Sequence, residues 1–161
     1  MVMKKILSFI FLYGIVSAYG QSIGSWKDHL PYKNAIALCG FGQQLLVATE
    51  SAVFNVNKND NTLQRLSKVQ GISDVQISSM NSNESCAIIG YSNGNIDVLE
   101  GYQIHNVPYL KNENMLGEKR INAIYFRQNF AYLSCAFGII ELNLKEKEIN
   151  NTFLLNSAGN L

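Results

Sequence analysis

The sequence has 161 residues, of which 13 are basic and 12 acidic, and 47% are apolar. The two signs of charge are interspersed, which argues against a surface for nucleic acid or anionic lipid. The length suffices for a domain-sized core, and beyond the N-terminal segment no apolar run approaches the length of a transmembrane helix.

The N-terminal segment has the build of a secretory signal peptide. Lys4 and Lys5 form a basic start, the run 6–16 is apolar, and small residues follow it. This order predicts a signal peptide at residues 1–20 and a mature chain that begins at Gln21. A buried N-terminal helix is the alternative. A signal peptide implies export to the periplasm, or to the outer membrane and the cell surface.

The mature chain repeats a short pattern three times. Residues 45–56, 87–98 and 131–142 align with one another at spacings of 42 and 44 residues. In each copy an apolar stretch ends in a small residue, a short turn follows, and the next stretch alternates apolar with polar residues. This pattern predicts the same β-hairpin three times.

Further apolar stretches precede and follow each hairpin, giving four strands per repeat, which is the period of a β-propeller blade. Alternation with a period of two excludes a helical repeat, and an immunoglobulin-like sandwich does not repeat its sequence every four strands. The predicted fold is all-β: a partial β-propeller of about three four-stranded antiparallel blades in an incomplete ring. Within a propeller portion at residues 21–161, the blades are expected at about 35–70, 75–110 and 121–155.

The number of repeats is too small for a closed ring, which requires roughly four to eight blades. Three blades leave one apolar face exposed on each outer sheet. We therefore expect this sequence to be the N-terminal portion of a longer protein. Assembly of three blades with another chain is the alternative.

Three cysteines are present, Cys39, Cys86 and Cys135. An exported protein that relies on disulfides usually has an even number of cysteines. The odd number and the wide spacing predict buried free thiols, which pack as small apolar side chains. One disulfide with a remaining free thiol stays open as an alternative.

The sequence contains no motif of an enzyme or a metal site. His29 and His105 have no partner at motif spacing, and zinc and nucleophile-elbow patterns are absent. The Asn-rich stretch 57–61 lacks the first aspartate and the glycine of a calcium loop, which favours a solvated turn. Asp97 and Glu141, 44 residues apart, are predicted at matched, solvent-facing strand positions and not as a catalytic pair. No catalytic, cofactor-binding or metal-binding residue is predicted.

The residues ahead of the first repeat carry a resemblance to a known family. Trp26, Asp28, Leu30, Pro31 and Tyr32 lie between the predicted signal peptide and the first blade. This stretch, followed by propeller blades, resembles the start of PorZ-type proteins of the type IX secretion system of Bacteroidetes. These proteins are akin to the two-component-regulator propeller proteins, and the resemblance covers nearly all of the mature chain.

The resemblance implies a longer protein with two large propellers and a C-terminal sorting domain. It implies a location at the cell surface, in an attachment complex with the sortase PorU. There the protein would bind anionic lipopolysaccharide and deliver it for the anchoring of cargo. The implied function is that of a non-catalytic binding or scaffold propeller at the outer membrane, without a cofactor.

The same stretch can be interpreted from physical chemistry alone. Trp26, Leu30 and Tyr32 would give an apolar face that docks on a blade and helps to close the ring. Pro31 has no N–H and indicates a sheet edge or a turn at that point. Packing is therefore favoured over a ligand site for these residues.

Two other functions are compatible with a propeller. One is the periplasmic sensor propeller of a hybrid two-component regulator, which requires a transmembrane segment and a kinase domain further along the chain. The other is a carbohydrate-active enzyme such as a lyase or a glycosidase. That function requires paired carboxylates on additional blades.

Overall fold

The computed structural model describes residues 32–114 and 117–155. The predicted signal peptide at residues 1–20 lies outside the described residues, as do Trp26, Asp28, Leu30 and Pro31. The described part contains a short α-helix, α1, at Tyr109–Asn112, and a single 3₁₀ turn at Lys68–Gln70. Its strands are β1 Ala37–Phe41, β2 Gln44–Ala48, β3 Val53–Asn57, β4 Leu63–Leu66, β5 Ile77–Ser82, β6 Ala87–Tyr91, β7 Ile96–Glu100, β8 Gln103–Val107, β9 Ile121–Arg127, β10 Phe130–Cys135, β11 Gly138–Asn143 and β12 Glu148–Leu154.

The strands form three antiparallel sheets, each with its four strands in chain order. Sheet 1 contains β1 to β4, sheet 2 contains β5 to β8, and sheet 3 contains β9 to β12. None of the sheets closes on itself. The predicted all-β fold, a partial β-propeller of three four-stranded blades, is confirmed.

The first strands of the three sheets lie side by side, with β5 in contact with both β1 and β9. Side-chain to backbone hydrogen bonds join these inner strands. Ser82 Oγ donates to the carbonyl of Gly40 at 2.9 Å, and Ser78 Oγ donates to the carbonyl of Ile121 at 2.7 Å. The sheets are therefore fixed to one another at their inner edges, as blades are around a propeller axis.

The core consists of two apolar layers, one on each side of sheet 2. Strand β6 is buried at all five positions, because its alternate side chains face sheets 1 and 3. Burial of each large aliphatic side chain contributes roughly 1.5–3 kcal/mol, so these two layers dominate the stability of the described part. The layer between sheets 1 and 2 contains Cys39, Leu46, Ala48, Val53, Ile72, Ile77, Met80, Ala87, Ile89, Tyr91 and Leu99. The layer between sheets 2 and 3 includes Cys86, Ile88, Ile96, Val98, Val107, Leu110, Ile121, Leu133, Ile140 and Leu142.

The pairing of the hairpins corrects the alignment of their second strands. The corresponding pairs near each hairpin turn are Ala48 with Val53, Gly90 with Ile96, and Ser134 with Ile139, the last of which is followed by one more pair, Cys135 with Gly138. Between these corresponding pairs, sheet 2 therefore has one residue more than the other two sheets. The expected spacings of 42 and 44 are right for the first hairpin strand, but the second strand repeats at 43 and 43. The match of Asp97 with Glu141 was therefore wrong by one residue.

The two outer sheets each have one face that no other described sheet covers. Leu38, Met80 and Ile124 occupy corresponding places, since they pair with corresponding residues of the second strands. Leu38 is 64% exposed, whereas Met80 and Ile124 are each 7% exposed. The difference arises because sheets 1 and 2 cover Met80 and Ile124, whereas Leu38 lies on the outer face of sheet 1. An open arc of blades accounts for this pattern.

Candidate functional surfaces

Tyr32 is the one residue of the family-like stretch that the structure describes. It lies on the outer face of sheet 1, where its ring meets Phe54 edge-on with the centroids 5.7 Å apart and the planes at 88°. The guanidinium carbon of Arg65 lies 4.7 Å from the centroid of the Tyr32 ring. Phe54 and Arg65 are paired neighbours on β3 and β4. Phe54 and Arg65 thus form an apolar and cationic surface that binds the ring of Tyr32, just before the chain enters β1.

Asp97 is fully buried, with 0% exposure, so the prediction of a solvent-facing carboxylate at this position was wrong. It lies on the face of sheet 2 that sheet 1 covers, and it is paired with Ile89. Its Oδ2 accepts hydrogen bonds from the Ser73 N–H at 2.8 Å and from the Tyr91 hydroxyl at 2.7 Å. Its Oδ1 accepts one from Asn106 Nδ2 at 2.8 Å. Burial and the nearby carboxylate raise the pKa of Tyr91, which therefore remains a hydrogen-bond donor.

Glu141 lies on the outer face of sheet 3, where it corresponds to Val98 and not to Asp97. It is half-buried and accepts a hydrogen bond from Asn150. A hydrogen bond with Glu141 raises the pKa of Tyr132 on the neighbouring strand. These contacts lie within one sheet, and they form no catalytic pair with Asp97.

A second buried carboxylate, Asp74, lies in the linker between sheets 1 and 2. Its Oδ2 accepts hydrogen bonds from Lys111 Nζ at 2.8 Å and from Asn93 Nδ2 at 2.6 Å. Burial alone would raise the pKa of Asp74, but the bonds from Lys111, Asn93 and the Val75 N–H outweigh it and lower the pKa to about 2. The linker is thereby held to the β6–β7 turn and to α1. The hydrogen bonds of Asp74 therefore fix the position of the linker.

A polar pocket of about 380 Å³ lies where the inner strands begin and the central hairpins turn. Glu50 and Arg120 contribute opposite charges to it, and Gln76 and Ser92 contribute neutral polar groups. The walls are tied together by the hydrogen bond from the Ser92 N–H to the carbonyl of Gln76 at 3.0 Å. The pocket can hydrogen-bond a polar ligand that has both donors and acceptors.

A second groove, of about 400 Å³, runs along the outer face of sheet 3. Tyr125, Tyr132 and Ile139 line it, together with Arg127 at one end. Tyr125 is 65% exposed. In sheet 2 the place of Ile139 is taken by Ile96, which is fully buried against sheet 3. The groove therefore lies on the face of sheet 3 that corresponds to the face of sheet 2 on which sheet 3 packs.

The three cysteines are buried free thiols, as predicted. Burial raises the pKa of each of them, and that of Cys135 reaches about 11. The thiols therefore stay protonated at neutral pH and are poor nucleophiles. They act as small apolar side chains of the two core layers.

Metal-ligating groups do not converge in the described residues: no three His, Cys, Asp or Glu side chains there could hold an ion. His105 lies on β8, with its Nε2 3.7 Å from the carboxylate of Glu100. His29 lies outside the described residues. None of the helices within residues 32–114 and 117–155 is long and apolar enough to cross a membrane.

Comparison with known proteins decides which family this arrangement of blades represents. Residues 45–160 match the family model of the N-terminal β-propeller domain of PorZ, from the type IX secretion system. The chain belongs to this family. The predicted resemblance to PorZ-type proteins is thus confirmed. No curated protein sequence matches the chain.

Solved structures agree with the family match. PorZ of Porphyromonas gingivalis, described as an essential bacterial surface component of the type IX secretion system, superposes with a TM-score of 0.75 at 27% identity. The match covers 81% of this chain and 18% of the PorZ chain, so the sequence spans about a fifth of the length of that protein. AztD of Citrobacter koseri is 13% identical, with a TM-score of 0.55 over 76% of this chain and 34% of its own. That likeness shows the propeller fold alone.

Sequence reasoning missed the two polar features of the PorZ-like sheets, the Asp97 cluster and the pocket beside Arg120. A signal for the cluster does exist in the sequence. The stretch 93–97 has asparagine or aspartate at three of five positions, and Asn106 follows on the next strand. No comparable signal marks the pocket, because its residues come from three different sheets.

Proposed function

We propose that this chain is the opening portion of the N-terminal propeller of a PorZ-like component of a type IX secretion system. It acts as a non-catalytic binding or scaffold module at the cell envelope, on the outer membrane or the cell surface. The observation that carries the proposal is the family match over residues 45–160. The 27% identity to a bacterial surface component of that system supports it.

The domain organisation that we propose is a signal peptide at residues 1–20 followed by propeller blades from residue 21 to residue 161. Further blades of a longer polypeptide would complete the ring. The uncovered outer faces of sheets 1 and 3 support this organisation, since Leu38 and Tyr125 are exposed there. The length of PorZ, of which this chain matches 18%, is consistent with it.

The finer role that we propose is participation in an attachment complex with the sortase PorU and delivery of anionic lipopolysaccharide. The resemblance to PorZ-type proteins is the basis for both partners. The pocket beside Arg120 supplies a guanidinium that can pair with phosphate or carboxylate groups of such a lipopolysaccharide. The nearby carboxylate of Glu50 would limit the affinity for a purely anionic ligand.

Deletion of the gene in the bacterium that encodes it tests the role in secretion. We expect cargo proteins to lose their attachment to the cell surface and to regain it when the wild-type gene is restored. Cargo that stays attached after deletion would overturn the proposal. Purified complete protein should also retain PorU and anionic lipopolysaccharide from detergent extracts.

A pair of charge reversals locates the lipopolysaccharide contact. Arg120→Glu should weaken binding of purified anionic lipopolysaccharide about tenfold, because one charged hydrogen-bonding contact contributes on the order of 1.5–3 kcal/mol. Lys145→Glu is the matched control, since its ammonium is on the exposed β11–β12 turn of sheet 3. Equal effects of the two changes would argue for non-specific charge attraction and against the pocket.

A further inference from the structure

A small polar pocket lies between sheets 1 and 2, next to the apolar layer that joins them. Its volume is about 30 Å³, and Tyr102 lines it from the β7–β8 turn of sheet 2. The other lining residues belong to sheet 1 and its β3–β4 turn, and all are polar and uncharged: Gln44, Asn55, Asn57, Thr62 and Gln64. This pocket shares no lining residue with the pocket beside Arg120.

Two buried acceptors of this pocket have no donor. Gln44 Oε1 and Asn55 Oδ1 are buried, and neither accepts a hydrogen bond from any residue that the structure describes. Asn55 is 8% exposed. It faces sheet 2, because it lies two residues after Val53 on β3 and Val53 belongs to the layer between the sheets. An unpaired buried amide oxygen costs about 1–3 kcal/mol, so the pocket is more stable when a donor fills it.

The neighbouring sheet has apolar residues at both positions. Cys86 corresponds to Gln44 and Val98 corresponds to Asn55, at the spacings of 42 and 43 residues that strand pairing gives. Cys86 and Val98 are 1% and 0% exposed and pack in the layer between sheets 2 and 3. The packing of one blade on the next therefore does not require amides here, and the two amides of sheet 1 are suited to a ligand instead.

The lining favours an uncharged ligand that has several hydroxyl groups. The residues that the structure places around the pocket include no carboxylate and no cation, so a divalent metal ion or an anion finds no opposite charge there. The amide oxygens need O–H or N–H donors, and a sugar has hydroxyls on neighbouring carbons. A water-sized group needs at least ~10–15 Å³. The pocket therefore admits about one hydroxyl, and the sugar ring stays outside.

Tyr102 supplies an aromatic surface for that ring. It is 84% exposed and follows Gly101, whose φ angle of 58° turns the chain at the tip of the β7–β8 hairpin. A tyrosine has few rotatable bonds, so it gives a large contact area at a low cost in conformational entropy. The C–H face of a sugar can lie on the Tyr102 ring while its hydroxyls reach the amides.

We propose that this pocket binds one unit of a neutral saccharide. One hydroxyl enters the pocket and donates to Asn55 Oδ1, a neighbouring hydroxyl donates to Gln44 Oε1, and the C–H face of the sugar packs on Tyr102. The proposal goes beyond the role in secretion and does not depend on it, because it rests on the amides between sheets 1 and 2 and not on Arg120.

Titration of the complete mature protein with neutral oligosaccharides tests the proposal. The probes are oligosaccharides of glucose, galactose, mannose and N-acetylglucosamine, each free and linked to a lipid, and binding is read by saturation-transfer-difference NMR. We expect at least one of the four to bind, and its two forms to bind equally, because the site contacts only the sugar. Failure of all four sugars, or binding of lipid-linked forms alone, would overturn the proposal.

Variants locate the bound sugar. Asn55→Val introduces the apolar residue that sheet 2 has at this position. It should weaken oligosaccharide binding at least ~10-fold through the lost hydrogen bond. The temperature of thermal unfolding should stay the same or rise, because the variant removes an unpaired buried amide. Tyr102→Ala should also weaken binding ~10-fold through the lost contact with the ring.

Two substitutions at exposed positions are the matched controls. Asn151→Val lies on β12, and Tyr109→Ala changes a tyrosine that is 49% exposed. Both should leave oligosaccharide binding unchanged. Undiminished binding in Asn55→Val and Tyr102→Ala would refute the proposed site. A lower unfolding temperature of Asn55→Val without a change in binding would also refute it, since the pocket would then hold a trapped water only.

Discussion

Asp97 has a carboxylate where the corresponding positions of the other sheets have Phe54 and Ile140. The position faces the preceding blade, so in sheet 2 it is covered by sheet 1. A buried carboxylate is tolerated only when its hydrogen bonds are satisfied, and here the three donors are Ser73, Tyr91 and Asn106. The β6–β7 hairpin just before Asp97 has one residue more between corresponding pairs than the other two hairpins. Tyr91 and Asn95 in this stretch take part in the same hydrogen-bond cluster.

Replacing Asp97 with alanine should therefore destabilise the protein strongly. The change leaves the Tyr91 hydroxyl and the Ser73 N–H without the acceptor that Asp97 gives them, and we expect a loss of about 2–4 kcal/mol in the free energy of unfolding. Denaturant titration measures it. Glu141→Ala is the matched control and should cost less than about 0.5 kcal/mol, as is usual for surface positions. Equal losses would contradict the structural role of the Asp97 cluster.

Asp74 gives the protein a specific sensitivity to acid. Its pKa is lowered to about 2 from the ordinary value of 3.8 for an aspartate, so its contribution to stability is present above pH 4. That contribution is lost as the pH falls from about 4 to about 2, and it amounts to about 2 kcal/mol. Asp74→Asn should flatten this part of the stability profile, whereas Glu146→Gln, at an exposed side chain, should not. The same profile in the wild type and in Asp74→Asn would contradict the assignment.

At the scale of the element, the missing side chain of Gly90 in β6 sets the spacing between sheets 2 and 3. A Cβ added to Gly90 would lie 2.7 Å from Cγ2 of Ile121 and 2.7 Å from Oγ of Ser79. The close contact between sheets 2 and 3 therefore requires the absence of a side chain at this position. Ser134 is the corresponding residue of sheet 3 and lines the open groove.

Gly90→Ala should force the inner strands apart at a cost of roughly 1–3 kcal/mol, which is typical of overpacking. Ser134→Ala should cost less than about 0.5 kcal/mol. Thermal unfolding followed by circular dichroism compares the two variants with the wild type. A Gly90→Ala protein as stable as the wild type would show that sheets 2 and 3 are less closely packed than the distances imply.

The elements were predictable because each blade repeats local features: apolar alternation, small residues at strand ends and polar turns. The exposure of individual residues could not be predicted in the same way. Asp97 alternates with Ile96 and Val98 as a solvent-facing residue would in a sheet with one wet face. Sheet 2 has two covered faces, and that property belongs to the stacking of blades. The register error had a similar origin, since the four or five residues between corresponding pairs of a hairpin have similar compositions, and only strand pairing distinguishes the two lengths.

At the scale of the whole molecule, the position that Leu38, Met80 and Ile124 share in the three sheets is exposed in sheet 1 and buried in sheets 2 and 3. Met80 and Ile124 are covered by the preceding sheet, and Leu38 is the exposed member of the set. A lysine at a buried position costs the desolvation of its charge, whereas a lysine at an exposed one does not. The stability cost of a lysine at Leu38, compared with its cost at Met80, therefore shows whether the outer face of sheet 1 is covered.

In a polypeptide of residues 21–161, Met80→Lys should cost more than about 3 kcal/mol and Leu38→Lys less than about 0.5 kcal/mol. In a polypeptide long enough to complete the ring, the cost of Leu38→Lys should rise toward that of Met80→Lys. Denaturant titration of both lengths makes the comparison. A low cost for Leu38→Lys at both lengths would mean that nothing packs on this face.

The hydrogen bonds of β5 to β1 and β9 connect each blade to its neighbours in sequence, so the contacts of the arc are local along the chain. Local contacts form quickly, and one blade can fold before the next is available. A chain that becomes available from its N-terminus first can thus form sheet 1 and add later sheets one at a time. The next sheet packs on the uncovered face of the sheet before it, so the order of the blades along the chain becomes the order of their assembly.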